Sequence, residues 1–127
     1  MIHAQTGVPT EDAEQMALFH WAALERGRYP ELAMLFHIPN GGSRGKAEAG
    51  RFRAMGVKAG VPDLCLPIAR AGKHGLYIEL KRSKGGRVSE EQAAWITELR
   101  ARGYAAEVCR GWEEAARVIE AYLQSDA

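Results

Sequence analysis

The sequence predicts an α/β domain built on a mixed sheet of about four strands flanked by helices. Three observations carry this. Helix-period and strand-period segments alternate along the 127 residues in the order α-β-α-β-β-α-β-α. Two strand-like runs, residues 61–68 and 76–81, are joined by the short Gly- and Lys-containing stretch 69–75, which makes them a hairpin. A helix and a further strand follow, and a β-α-β crossover adds parallel pairing to the same sheet. Four strands is about what this length can cover, so residues 1–127 read as one domain.

Each element has its local reason. Pro9-Thr10-Glu11-Asp12 opens the first helix, with Thr10 as cap and acids in the first turn. Ala13, Met16, Ala17, His20 and Leu24 recur at helical spacing, and residues 27–30 end the run. Residues 32–38 are a short apolar run ended by Pro39-Asn40-Gly41-Gly42, which predicts a strand and a turn. Residues 44–55 are helix-compatible, with Ala49, Phe52 and Met55 on one side. Ser89-Glu90-Glu91-Gln92 is a capping box that starts a helix over 89–102, and Gly103 stops it. Residues 104–109 read as a strand and 112–123 as the last helix.

Composition excludes several classes. With 46% apolar, 26% charged and 8% aromatic residues the chain is ordinary globular protein. No apolar run approaches the ~20 residues of a membrane span, and residues 1–9 lack a signal-peptide pattern. Cys65 and Cys109 both sit among apolar residues, which supports neither a disulfide framework nor a cysteine zinc site and points to a reducing, cytoplasmic setting. The net charge of +1 conceals an asymmetry: Arg44 to Arg87 holds 11 Lys/Arg against three acids, while both flanks are acidic. A basic middle of this kind suits a polyanionic partner.

The three acids inside that basic stretch are Glu48, Asp63 and Glu79. With the hairpin folded about Ala71, Asp63 and Glu79 oppose each other on one face, their Cβ atoms ~5 Å apart. Two carboxylates so placed repel unless a proton or a cation lies between them. Oxygen ligands without a His/Cys cluster point to Mg²⁺ or Mn²⁺. Lys81 projects from the same face two residues beyond Glu79, so an ammonium adjoins the metal position. A register slip of one residue would destroy this arrangement.

Pro62-Asp63 followed by Glu79-Leu80-Lys81 resembles the PD-(D/E)XK nuclease motif. The wider series is similar to its VRR-NUC branch: an N-terminal helical Glu, His37-Ile38-Pro39-Asn40-Gly41-Gly42, Gly60-Val61-Pro62-Asp63, Ile78-Glu79-Leu80-Lys81 and Ser89-Glu90-Glu91-Gln92. The small size resembles the stand-alone members of phages and bacteria. The resemblance implies a restriction-endonuclease-like fold and a metal-dependent DNA endonuclease. It makes Asp63, Glu79 and the Leu80 backbone carbonyl metal ligands and Lys81 the catalytic lysine. The family's helical acid falls on Glu14, whose helical face is shared by Leu18 and Trp21 and so looks inward. Glu11 is the rival. Gln92 matches the family's helical Gln, although the capping box also accounts for it.

The remaining basic side chains divide into two groups of phosphate contacts. Arg44, Lys46, Arg51 and Arg53 lie on the short helix, and Arg82, Lys84 and Arg87 on the loop after the catalytic strand. His37 reads equally as a structural residue or a phosphate contact. His3, His20 and His74 show no metal spacing, and Trp21, Trp95 and Trp112 read as core anchors. The stand-alone relatives point to branched DNA such as four-way junctions, in the cytoplasm of a bacterial or phage-infected cell. Paired incisions would need a two-fold dimer, with interface candidates around Phe19 and Trp21 or around Trp112 and Tyr122. The rival expectations are a non-catalytic DNA-binding module and a general nuclease without junction preference.

Overall fold

A computed structural model describes residues 7–39 and 45–127. The Asn40-Gly41-Gly42 turn and Arg44 lie outside the described residues. The elements are α1 (Glu11–Leu24), β1 (Phe36–His37), α2 (Lys46–Ala54), β2 (Leu64–Leu66), β3 (Leu76–Lys81), α3 (Glu90–Ala101), β4 (Ala105–Arg110) and α4 (Trp112–Gln124), with a 3₁₀ helix Pro30–Met34 before β1. The strands form one sheet in the order β1-β2-β3-β4, antiparallel except for the parallel β3–β4 pair. This is the expected α/β architecture, with α3 as the crossover. Among the described residues no helix is long and apolar enough to cross a membrane.

Strand alternation splits the molecule into three layers. Leu64, Leu66, Leu76, Ile78 and Leu80 face α1 and α4 and form the main core with Leu18, Ala22, Ala115, Ile119 and Leu123. The opposite face is covered by α3 through Ile96 and Leu99, packed with Ala106, Tyr77, Trp95 and Tyr104. Glu79 and Lys81 belong to this second face. The β2–β3 register pairs Leu64 with Ile78, Cys65 with Tyr77 and Leu66 with Leu76, as folding about Ala71 requires. Extended by one residue, it sets Asp63 against Glu79.

Three expectations change. The run 32–38 is not one strand: Leu32 and Leu35 are both buried in the core, which a strand could not achieve at a spacing of three. A 3₁₀ helix opened by Pro30 places them on one side. β2 is shorter than 61–68 because Pro62 and Pro67 supply no N–H to a ladder on either flank. In α1 the buried residues are Glu14, Leu18 and Ala22, whereas Met16, His20 and Leu24 face solvent. Phe19, Trp21, Trp112 and Tyr122 are half-buried and pack against the main core on their inner sides.

The hairpin turn carries a backbone cost. Ala71 (φ 51°) and Gly72 (φ 78°) are both left-handed, the geometry of a two-residue type I′ turn, which favours Asn-Gly. Replacing Ala71 with Asn keeps its N–H bond to the Asp126 carbonyl and removes most of the alanine penalty. Chemical denaturation of Ala71→Asn is expected to show a gain of about 1 kcal/mol.

Candidate active site

The site forms where β2 and β3 end beside the first turn of α3. Gly60 comes first in building it. Its φ is +90°, and a Cβ there would lie 2.7 Å from the backbone carbon and the Cβ of Glu91. Only glycine lets this loop press against the start of α3, and three residues later the chain delivers Asp63.

Asp63 is pinned from both sides. Its carbonyl accepts the Ile38 N–H at 2.6 Å and the His37 Nδ1 at 3.0 Å, which fixes Nδ1 as the protonated ring nitrogen. Its carboxylate Oδ2 accepts the Leu80 N–H at 2.9 Å. Because N–H and C=O of one strand residue point the same way, the Leu80 carbonyl also faces the Asp63 side. Gly75 and Lys81 direct their carbonyls to the opposite edge, where Ala105 and Gly111 donate.

Glu79 is 1% exposed. Its Oε2 accepts from Gln92 Nε2 at 3.0 Å and lies 3.5 Å from the Lys81 ammonium, itself buried. Its Oε1 is buried with no partner among the described residues. Gln92 holds its place by the reciprocal capping box: its N–H donates to Ser89 Oγ and its Oε1 accepts the Ser89 N–H. With Oε1 engaged, the amide can only turn its NH₂ toward Glu79. The cap and the site contact are therefore one device.

Burial pushes the Glu79 carboxyl up to about 8, the neighbouring Asp63 charge adding to the rise and Lys81 opposing it. Burial raises Asp63 as well, against the Leu80 N–H bond, His37, Glu79 and Lys81, all of which lower it. Burial and the neighbouring Asp63 charge therefore favour the protonated form of Glu79, and a cation beside the pair would relieve the same repulsion.

The structure assigns the other expected residues unequally. Glu14 is buried, but its Oε1 accepts the Trp112 N–H at 2.9 Å, capping the start of α4 where Gly111 offers no side chain. It does not line the Asp63 cleft, which explains its inward orientation without a metal. Glu11 does line that cleft, of about 210 Å³, together with Asp12, Gln15, His37, Asp63 and Leu80. Glu11 is therefore the α1 acid that lines the Asp63 cleft, and the structure does not bring Glu14 into that cleft. His37, read from the sequence as a structural residue or a phosphate contact, bonds the Asp63 carbonyl and lines the same cleft.

Among the phosphate contacts, Lys46, Arg51 and Arg53 are exposed on α2, none of whose residues is buried. Lys84 and Arg87 are exposed on the loop after β3, which Arg110 ties down by donating to the Gly85 carbonyl at 2.7 Å. Arg82 differs: its Nη2 donates to the Val8 carbonyl at 3.1 Å and its Nε is buried, so it anchors the chain before α1 rather than offering a free phosphate contact.

The groups able to hold a hard divalent cation are the Asp63 and Glu79 carboxylates and the Leu80 carbonyl. The unpartnered Glu79 Oε1 and the all-oxygen donor set fit such an ion. Among the described residues no three His, Cys, Asp or Glu side chains form a metal cluster. Two carboxylates with remaining positions for water and phosphate oxygens suit Mg²⁺.

Acids from the hairpin, with a lysine two residues further along the central strand of a mixed sheet, define a restriction-endonuclease-like nuclease fold. The VRR-NUC domain model matches residues 11–113. A solved VRR_NUC domain protein superposes with a TM-score of 0.81 at 33% sequence identity, covering 94% of this chain and 93% of that one. No curated protein matches. The chain belongs to the VRR-NUC family, a family of nuclease domains.

The carboxyl pair makes stability pH-dependent. A carboxyl raised from 4.5 to about 8 favours the folded state while protonated, so its contribution is complete below pH ~4.5 and is lost as pH rises toward about 8. Thermal melting without metal is expected to fall across that window. Glu79→Gln should flatten the fall, and added Mg²⁺ should reverse it at the upper end.

Proposed function

We propose that the protein is a Mg²⁺- or Mn²⁺-dependent DNA endonuclease, selective for branched DNA such as four-way junctions. In this reading it acts as a homodimer in the cytoplasm of a bacterial or phage-infected cell. The observation carrying the hydrolytic reading is the Asp63–Glu79 pair, with a buried, unpartnered Glu79 Oε1 and the Lys81 ammonium 3.5 Å from Oε2. Asp63, Glu79 and the Leu80 carbonyl hold the ion, with Glu11 on the cleft wall. When bound, it supplies a water of lowered pKa and polarises a phosphoryl oxygen.

The protein's own groups do the rest. Gln92 fixes the Glu79 carboxylate, and His37 and the Leu80 N–H fix Asp63 at its two ends. Lys81 projects from the same face of β3 and opposes the negative charge that develops on the phosphate. Its burial excludes water from that interaction and strengthens it. Lys46, Arg51, Arg53, Lys84 and Arg87 supply sequence-independent phosphate contacts. The branched substrate and the dimer are supported by the single cluster per chain: a four-way junction is close to two-fold symmetric, and its resolution needs two incisions.

Lys81→Ala separates catalysis from binding. One lysine among many phosphate contacts adds little to affinity, whereas a preorganised charge at the reacting phosphate is worth ~10²–10³ in rate. Single-turnover cleavage should fall by that factor with DNA affinity nearly unchanged, and Asp63→Ala should abolish metal-dependent cleavage. Equal losses of rate and affinity in Lys81→Ala would make it only another phosphate contact.

A further inference from the structure

Lys81, the last residue of β3, is paired in register with Arg110, the last residue of β4. Paired residues of neighbouring strands project from the same face, so a guanidinium stands beside the site lysine. The two cations go separate ways. The Lys81 ammonium turns back along its strand and lies 3.5 Å from Glu79 Oε2. Arg110 reaches out to the loop that leaves β3. Its Nη1 donates to the Gly85 carbonyl at 2.7 Å and its Nη2 to the Gly86 carbonyl at 3.4 Å.

The loop so held lies against the site. Gly85 and Gly86 are both left-handed, at φ 75° and 70°, a pair of conformations that glycine adopts without strain. A Cβ on Gly86 would lie 3.5 Å from Glu11 Oε2 and 3.8 Å from Lys81 Cδ. This glycine therefore packs against the stem of the site lysine and against the cleft acid together, and it is part of the cover that leaves Lys81 5% exposed. The root of the loop is pinned by Arg82, which donates to the Val8 carbonyl at 3.1 Å. Arg110 has a fixed base of its own. Its N–H donates to Glu114 Oε2 at 3.3 Å, and the Gly111 N–H donates to the Lys81 carbonyl at 2.9 Å.

We infer that Arg110 is a positioning residue for phosphodiester hydrolysis, holding the loop 82–88 over Lys81 through the Gly85 and Gly86 carbonyls. The role rests on the nuclease reading above. A guanidinium suits the task because its planar fork presents several N–H donors in fixed directions, enough for two successive carbonyls. With the loop held, the Lys81 ammonium stays dry, and Lys84 and Arg87 are presented from a fixed base. With the loop released, water reaches the ammonium and weakens its action on the developing charge. Misplacement of about 1 Å at such a group is worth about 10² in rate.

The test uses the whole chain with Mg²⁺ and a four-way junction or a linear duplex. Arg110 is exposed, so Arg110→Ala should melt as the unaltered chain does. Its single-turnover cleavage is expected to fall about 10²-fold. The salt dependence of DNA affinity separates positioning from a direct phosphate contact, since each contact adds about 0.9 to the slope of log affinity against log salt. That slope should be unchanged in Arg110→Ala and should drop by about one contact in Lys84→Ala. Trypsin gives a readout free of DNA and metal, because the loop carries cleavage sites at Lys84 and Arg87. Nicking there should accelerate in Arg110→Ala. Arg110→Lys, which can reach one carbonyl, should recover part of both the rate and the trypsin resistance. A slope lowered by one contact, with nicking unchanged, would make Arg110 a phosphate contact and overturn the inference. So would a cutting chain whose rate is indifferent to Arg110→Ala. An unaltered chain that cuts no DNA would sink the nuclease reading and this role with it, whatever trypsin shows.

Discussion

Two carboxylates set against each other by the hairpin register, one of them buried and the other on a cleft wall, are the constraint on which this molecule turns. Glu79 sits on the central strand, covered by α3, and Asp63 is delivered opposite it by the hairpin register. Left alone, such a pair opposes folding through both burial and repulsion. The surrounding residues make it tolerable by holding each carboxylate at one oxygen and leaving the other side for a proton or cation. Leu80 donates to Asp63, while Gln92 and Lys81 face Glu79 Oε2. Glu79 Oε1 remains over. Structural stability and site chemistry are therefore the same set of contacts.

The scaffold serves this pair through α3. Its first turn does three tasks within four residues: Ser89 caps it, Glu91 receives the close approach of Gly60, and Gln92 reaches the carboxylate. Because both the Asp63 loop and Glu79 are referenced to one helix end, their separation is set by rigid local geometry rather than by long side chains. The opposite face of the sheet adds the start of α1, whose Glu11, Asp12 and Gln15 line the cleft. There α1 and α4 build the core, and the Glu14–Trp112 bond locks one to the other.

Much of this was legible in the sequence, for physical reasons that differ by element. The hairpin site could be read because strand alternation and a turn at Ala71-Gly72 leave one register that buries the leucines. The capping box could be read because its partners are three residues apart. The destination of Glu14 could not, since its partner Trp112 is 98 residues away and both inward acids look alike on a helical wheel. The face of α1 carrying Glu14 and Leu18 packs inward as its sequence indicates, whereas Met16, His20 and Leu24, at the same helical spacing, stay exposed. The basic middle of the chain also divides in space. Arg70, bonded to Glu31 at 2.6 Å, and Lys73 lie at the turn end of the hairpin, at the other end of β3 from Lys81.

The central claim is that a metal ion and a proton on Glu79 relieve the same repulsion. Calorimetric titration of Mn²⁺ near neutral pH, repeated in buffers of different ionisation enthalpy, counts the protons displaced as the ion binds. The account predicts release of about one proton per ion, abolished in Glu79→Gln. Metal binding at this site with no proton release would contradict it.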